Sequence, residues 1–201
     1  GNGIHLWKCD SVKIENNHME GHRDGMYFEF AHFCLIEKNL CEKNFRYGLH
    51  FMFSDNDVYR KNTFQNNGTG VAVMYTKNVE MYENIFRNNW GDAAYGLLLK
   101  DISNSIIEGN SFTNNTVGVT MEGSNKINFI KNNFALNGYA LKVMANCIRD
   151  TFMYNNFTAN TFDAATNGEL RENSFQYNYW DKYEGYDLNR DMIGDIPFRP
   201  V

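Results

Sequence analysis

The sequence repeats with a period of roughly 22 residues, and that period limits the chain to a few architectures. An asparagine followed two residues later by an apolar side chain recurs at Asn17/Met19, Asn39/Cys41, Asn62/Phe64, Asn84/Phe86, Asn110/Phe112, Asn132/Phe134, Asn155/Phe157 and Asn173/Phe175. The steps between these asparagines are 22, 23, 22, 26, 22, 23 and 18 residues. A second column runs in phase: Gly3-Ile4-His5-Leu6, Gly25-Met26-Tyr27-Phe28, Gly48-Leu49-His50-Phe51, Gly70-Val71-Ala72-Val73, Gly96-Leu97-Leu98-Leu99 and Gly118-Val119-Thr120-Met121 align, and Ala140-Leu141-Lys142-Val143 continues them. A third column precedes each asparagine at Ile14, Ile36, Tyr59, Met81, Ile107, Phe129 and Phe152.

Each period therefore holds three short alternating segments and no helical run. Leucine-rich repeats share the period but need leucines at fixed offsets and a helical half, and helical repeats are longer. The pattern predicts an all-β, right-handed parallel β-helix solenoid of about eight coils, each with three short strands. One coil cannot bury its apolar side alone, so coils must stack, about 4.8 Å apart. Like residues then lie above like. The phenylalanines should form an interior ladder, and the asparagines a corner ladder whose amides bond the next coil. Asparagine also tolerates a left-handed corner, and glycine frees φ at another. With only 2 prolines and 16 phenylalanines, composition agrees with many short strands and tight turns. The repeat runs to about residue 180, and 181–201 read as an irregular C-terminal cap on a single domain, 1–201. The chain begins at Gly1 without a Met or a signal peptide, so it reads as an excised or mature segment of a longer protein.

A net charge of −5 argues against a nucleic-acid partner, and no apolar run is long enough to insert in a bilayer. Three Asn-x-Ser/Thr sequons, at Asn67, Asn114 and Asn156, are expected by chance in so asparagine-rich a chain. Cys41 stands in the phenylalanine column, and Cys34 aligns with Val12 and Ile127. Both read as small core residues. Cys9 and Cys147 share a column six coils apart, about 29 Å, too far for a disulfide.

Alternation puts one row outward at His5, Tyr27, His50, Ala72, Leu98, Thr120 and Lys142. A second outward row holds Trp7, Glu29, Met52, Met74, Lys100, Glu122 and Met144. A solenoid's repetitive face is a common binding surface, and where a solvated sheet carries Thr, Ser, Lys and Glu this one brings in Trp7, Met52, Met74 and Met144 with His5 and His50. His50, Met52 and Met74 should neighbour one another, an imidazole and two thioethers suited to cuprous copper. The other reading is an apolar docking patch with a satisfied histidine. His5, Trp7, Tyr27, Glu29, Lys100, Glu122 and Met144 complete the candidate binding face.

Three further segments stand out. The stretch from His18 to Gly25 is rich in ionisable groups, either an acid/base site or a charged corner. The 26-residue step marks an inserted loop at 90–95, a binding element or a tolerated bulge. Asp187, Asn189, Asp191 and Asp195 occupy positions 1, 3, 5 and 9 of an EF-hand-like calcium loop. That loop departs from the pattern where Met192 replaces glycine and Phe198 replaces the closing glutamate.

Several stretches also resemble the NosD family. They are His22-Arg23-Asp24-Gly25-Met26-Tyr27-Phe28-Glu29-Phe30, Arg46-Tyr47-Gly48-Leu49-His50-Phe51-Met52-Phe53-Ser54 and Gly70-Val71-Ala72-Val73-Met74-Tyr75. Tyr95 to Lys100, Met144-Ala145-Asn146, Asn178 to Asp181, Gly185-Tyr186-Asp187 and Gly194 to Pro200 extend the likeness over nearly the whole chain. The family's further coils and secretion signal would lie N-terminal to Gly1. The resemblance implies a periplasmic, non-catalytic accessory protein that handles copper or sulfur for the copper–sulfur centre of nitrous oxide reductase. It implies as partners a NosF/NosY ABC transporter and either nitrous oxide reductase or a copper donor protein. It supplies no ligand set, so the copper residues above come from geometry.

The alternatives are a polysaccharide lyase, epimerase or hydrolase, which this fold often hosts, and a purely structural scaffold. A two-carboxylate enzyme needs carboxyls roughly 5–10 Å apart. Glu29 and Glu122 should be about 19 Å apart, which leaves Asp24 near Glu29 as the pair to test.

Overall fold

A computed structural model describes residues 1–169 and 172–200. The first coil is β1 (Ile4–Asp10), β2 (Lys13–Glu15) and β3 (His18–Glu20). The second is β4 (Asp24–His32), β5 (Leu35–Glu37) and β6 (Leu40–Glu42), and the third is β7 (Tyr47–Met52), β8 (Val58–Arg60) and β9 (Thr63–Gln65). The fourth opens with β10 (Thr69–Met74), and the pattern continues to Tyr179–Trp180. Every third strand pairs in parallel, giving three eight-stranded sheets. We call them A (from β1), B (from β2) and C (from β3). Among the described residues there is no helix, and the fold is the expected right-handed parallel β-helix.

The interior follows the predicted columns. Phe64, Phe86, Phe112, Phe134 and Phe157 form one stacked file with centroids 4.7–5.4 Å apart, closed by Trp180. Cys41 pairs with Phe64 in that file. In sheet B the file from Ile14 through Tyr59 to Phe152 ends on Phe175, stacked 4.4 Å from Phe152. Asn173 and Phe175 therefore belong to sheet B, not to the sheet C column in which the sequence placed them. The corner asparagine one coil above Asn155 is Asn178, which restores a step of 23 residues in place of 18.

Two asparagine ladders run up the helix. Along one, Asn84 Oδ1 accepts the backbone N–H and the side-chain amide of Asn62, while its Nδ2 donates to Tyr59 O and Asn110 Oδ1. The second ladder, Asn44, Asn67, Asn89, Asn115, Asn137 and Asn160, works the same way at the next corner. All six are buried. A corner backbone group that cannot join a sheet must find another partner, and these amides supply it.

The backbone departs from expectation at both corner types. The left-handed residue is the one before each ladder asparagine, as at Asn16, Lys38, Lys61 and Glu83. Its side chain faces solvent, so residue type is barely constrained there. The glycines that open the sheet A strands do not have positive φ. A Cβ on Gly25 would sit 2.5 Å from the Gly48 carbonyl oxygen, and one on Gly118 would sit 2.6 Å from that of Ala140. They are glycines because adjacent coils touch there.

Two carboxylates imitate the ladder. Asp57 accepts the Cys34 N–H at 2.7 Å and Asp150 accepts the Ile127 N–H at 2.9 Å, in one inward file. Both are fully buried, and the Asp150 Oδ2 has no partner. Burial pushes each carboxyl up to about 7. Below pH 4 both folded and unfolded forms are protonated at these sites. Between pH 4 and 7 the unfolded chain releases the proton that the fold retains, so stability falls as pH rises. Thermal melts should show Asp150→Asn gaining on the parent protein across that window, with a Tm gap wider at pH 8 than at pH 4. A gap independent of pH would contradict this assignment.

Candidate functional site

The outward rows of sheet A form as registered. His5, Tyr27, His50 and Ala72 are successive partners, as are Trp7, Glu29, Met52, Met74 and Lys100. Met52 and Met74 are direct partners on β7 and β10, and both are half-buried. The first row lies on the outer face of the sheet as expected, but its centre is covered. Ala72 is fully buried, and His50 and Leu98 are 6% and 9% exposed. Large side chains close over them. The Tyr47 ring lies 4.9 Å from His50, and Tyr27 meets it edge-on at 5.3 Å. Burial foremost, with the neighbouring Tyr47 hydroxyl, pushes the Tyr95 hydroxyl up, so the inserted loop closes against this face.

His50 is held from one side. The Arg46 guanidinium donates to its Nδ1 at 3.1 Å, reaches Asp24 Oδ1 at 3.1 Å and lies over the Tyr47 ring. Asp24 is fully buried and also accepts from Arg23 at 3.1 Å. Burial, then the Arg46 charge, pushes the His50 imidazole down to about 4, so it is neutral near pH 7. A guanidinium has only donors. Nδ1 must therefore be the acceptor, and the single ring proton sits on Nε2. That nitrogen is buried and has no hydrogen-bond partner. A metal ligand must offer a lone pair, so His50 can ligate only after Arg46 releases Nδ1.

The remaining candidates are dispersed. His5 packs edge-on against Tyr27, and Trp7 is 57% exposed under Lys8. Tyr27 donates to Glu29 at 3.4 Å, and Lys100 pairs with Glu122 at 3.3 Å. Met144 is half-buried three coils beyond Met74. Asp24 is enclosed by two guanidiniums and Glu29 serves the Tyr27 hydroxyl, so this carboxylate pair is already committed. The calcium-type loop closes on itself. Asp187 accepts from the Asp191 and Met192 N–H groups, Asn189 from that of Asp191, Asp191 from that of Ile193 and Asp195 from that of Leu188. The cysteines are all free, and burial pushes the Cys34 and Cys147 thiols up to about 11 and Cys41 higher still.

Sequence reasoning missed Arg46, Tyr47 and Tyr95 as site components. Their signal was faint: Arg46 and Tyr47 open a strand where neighbouring coils have Arg23-Asp24 and Thr69, and Tyr95 closes the insertion. It also placed His18 to Gly25 in one turn, but His18–Glu20 is strand β3 and Asp24 begins β4.

The model of the NosD family, described as a periplasmic copper-binding protein, matches residues 1–185. The chain belongs to the NosD family. No curated protein sequence matches it significantly. Among solved structures, the mannuronan C-5 epimerase AlgE4 A-module of Azotobacter vinelandii superposes with a TM-score of 0.77 at 16% identity, over 85% of this chain and 53% of that one. The periplasmic alginate epimerase AlgG gives 0.65 at 12%, over 78% and 47%. An alginate lyase from Paenibacillus sp. str. FPU-7 gives 0.65 at 16%, over 90% and 76%. At these identities the likeness is one of fold, and this NosD chain spans about half the length of the epimerases.

Replacing Arg46 with Gln should raise the His50 titration midpoint, because a guanidinium that disfavours the imidazolium is removed. Burial still holds the midpoint below the usual histidine value. Histidine NMR resonances across a pH series report it, and an unchanged midpoint would show that Arg46 does not govern this ring.

Proposed function

We propose that this chain is the β-helical body of a periplasmic, non-catalytic carrier that holds cuprous copper during maturation of the copper–sulfur centre of nitrous oxide reductase. Its working partners are a NosF/NosY-type ABC transporter and either a copper donor protein or the reductase itself. The reading is supported by family membership over residues 1–185 and carried by one observation, the pairing of Met52 with Met74 on the outer face.

Thioethers are soft, uncharged and independent of pH, which suits cuprous ion over zinc or calcium. Two sulfurs bound to one ion at about 2.3 Å each stand at most about 4.6 Å apart, close to the ~4.8 Å rung spacing. The pair thus needs little rearrangement to share an ion. Two thioethers alone hold an ion loosely, as a carrier requires. His50 lies two residues before Met52 on the same strand face and becomes a third ligand when Arg46 lets go of Nδ1. Copper then competes with a hydrogen bond instead of with a proton on a charged ring.

A second reading has an observation of its own. The chain Asp24–Arg46–His50 fixes the tautomer of a neutral imidazole that packs against the edge of the Tyr27 ring, an arrangement that could move a proton on a bound sugar acid. Turnover of alginate or another polyuronate by the purified chain would favour that enzyme reading and displace the carrier.

Titration of the reduced protein with cuprous ion against a chromophoric chelator tests the carrier directly. Binding should be near-stoichiometric and weaken at least ~tenfold in the Met52→Leu/Met74→Leu double variant, about 1.4 kcal/mol. Equal affinity in parent and variant removes the thioether site.

A further inference from the structure

A second metal-ligating group lies on a different face of the helix, the outside of sheet C. His18 and Glu20 are two residues apart on β3 and point the same way, with Met19 buried between them. Glu42 on β6 is the registered partner of Glu20 one coil up. Among the described residues, one ligand atom from each of these three falls within 4.8 Å of the others, the only group of three or more His, Cys, Asp or Glu to do so.

The carboxylates are arranged around the imidazole. Glu42 Oε2 accepts from Gln65 Nε2 at 2.6 Å, which leaves Oε1 turned to His18 Nε2 at 2.9 Å. Glu20 Oε1 accepts from Lys43 at 2.8 Å, which leaves Oε2 3.7 Å from the same Nε2. Each carboxylate thus has one oxygen fixed from outside and one free toward a common point. Hydrogen bonds from outer groups orient metal-binding carboxylates in this way.

Sheet B offers an internal comparison. There Glu15 and Glu37 are registered partners, and Lys13, two residues before Glu15, bridges them at 2.6 and 3.6 Å. Like charges opposite one another on neighbouring strands destabilise the pair unless something positive joins them. Lysine is a permanent bridge. In sheet C the equivalent position, two residues before Glu20, is His18. An imidazole bridges only with a proton on Nε2, and the tautomer that carries its proton on Nδ1 leaves a lone pair between two carboxylates.

We propose that His18, Glu20 and Glu42 form a site for a divalent first-row cation of the zinc class, in which the ion takes the place of the imidazole proton. One nitrogen and two carboxylate oxygens with an open fourth position match the ligand set of an accessible zinc site. The set is hard where Met52 and Met74 are soft, so the two sites sort ions by class. This site is independent of the copper reading and survives its failure.

The test uses metal-free protein and zinc sulfate at pH 7.5, with a chromophoric zinc chelator as competitor. The expected result is one zinc per chain, with affinity reduced ~10- to 100-fold in Glu42→Gln and in His18→Gln. The Met52→Leu/Met74→Leu variant should bind zinc as the parent does. Histidine NMR on the parent, which needs no variant, should show His18 resonances moved by one equivalent of zinc, with those of His50 unmoved. Absence of zinc binding, parent affinity retained in the two sheet C variants, or a shift confined to other histidines would each overturn the site.

Discussion

Everything in this protein depends on vertical registry, and the buried asparagine amides enforce it. A stack of coils could slip by a residue and still pair strands, but a slip would turn every interior side chain outward. The asparagines oppose it because each Oδ1 is placed to take two N–H donors from the coil before. A slipped coil would leave those donors and the Nδ2 group buried without partners, at about 1–3 kcal/mol for each group. The stacked phenylalanines add packing, but a file of like rings tolerates small displacements better than a file of amides does.

Registry also makes function from an otherwise uniform surface. Met52 and Met74 lie 22 residues apart in sequence and side by side in space. Glu20 and Glu42 do the same on another face. Identical spacing thus yields a soft pair on sheet A and a hard pair on sheet C. What differs is the third group. On sheet A a histidine is buried and tied to an arginine, and on sheet C a histidine stands exposed between two carboxylates.

The fold was legible because a solenoid writes its contacts into its period. Ile14 to Phe152, the phenylalanine file and both outward rows follow from counting alone. The misplacement of Asn173 shows the limit of counting: near the end of the repeat, Asn173 and Asn178 both fit the motif, and only hydrogen bonding distinguishes Asp150's partner from Asn155's. Glycine was read through φ, although the cause was contact between coils, which one strand considered alone does not reveal. At the candidate site the methionine pair was legible from spacing. The burial of His50 was not, because it arises from Tyr47, Arg46 and the inserted loop, whose side chains cross the face instead of running along a column. Likewise His18 was noticed as a charged residue in a turn, and its partner Glu42 emerges only once β3 and β6 are paired.

Engineered cysteines test the registry most directly. Thr113 and Ala135 are registered outward partners on adjacent rungs of sheet C, and Thr158 is the next residue in that file. A disulfide needs Cα atoms within about 7 Å, which one rung satisfies and two rungs, about 9.6 Å, do not. Mild oxidation should therefore close an intramolecular bond in Thr113→Cys/Ala135→Cys and leave Thr113→Cys/Thr158→Cys reduced. Equal closure of both pairs, or closure of the second alone, would contradict the rung-by-rung order on which both proposed metal sites rest.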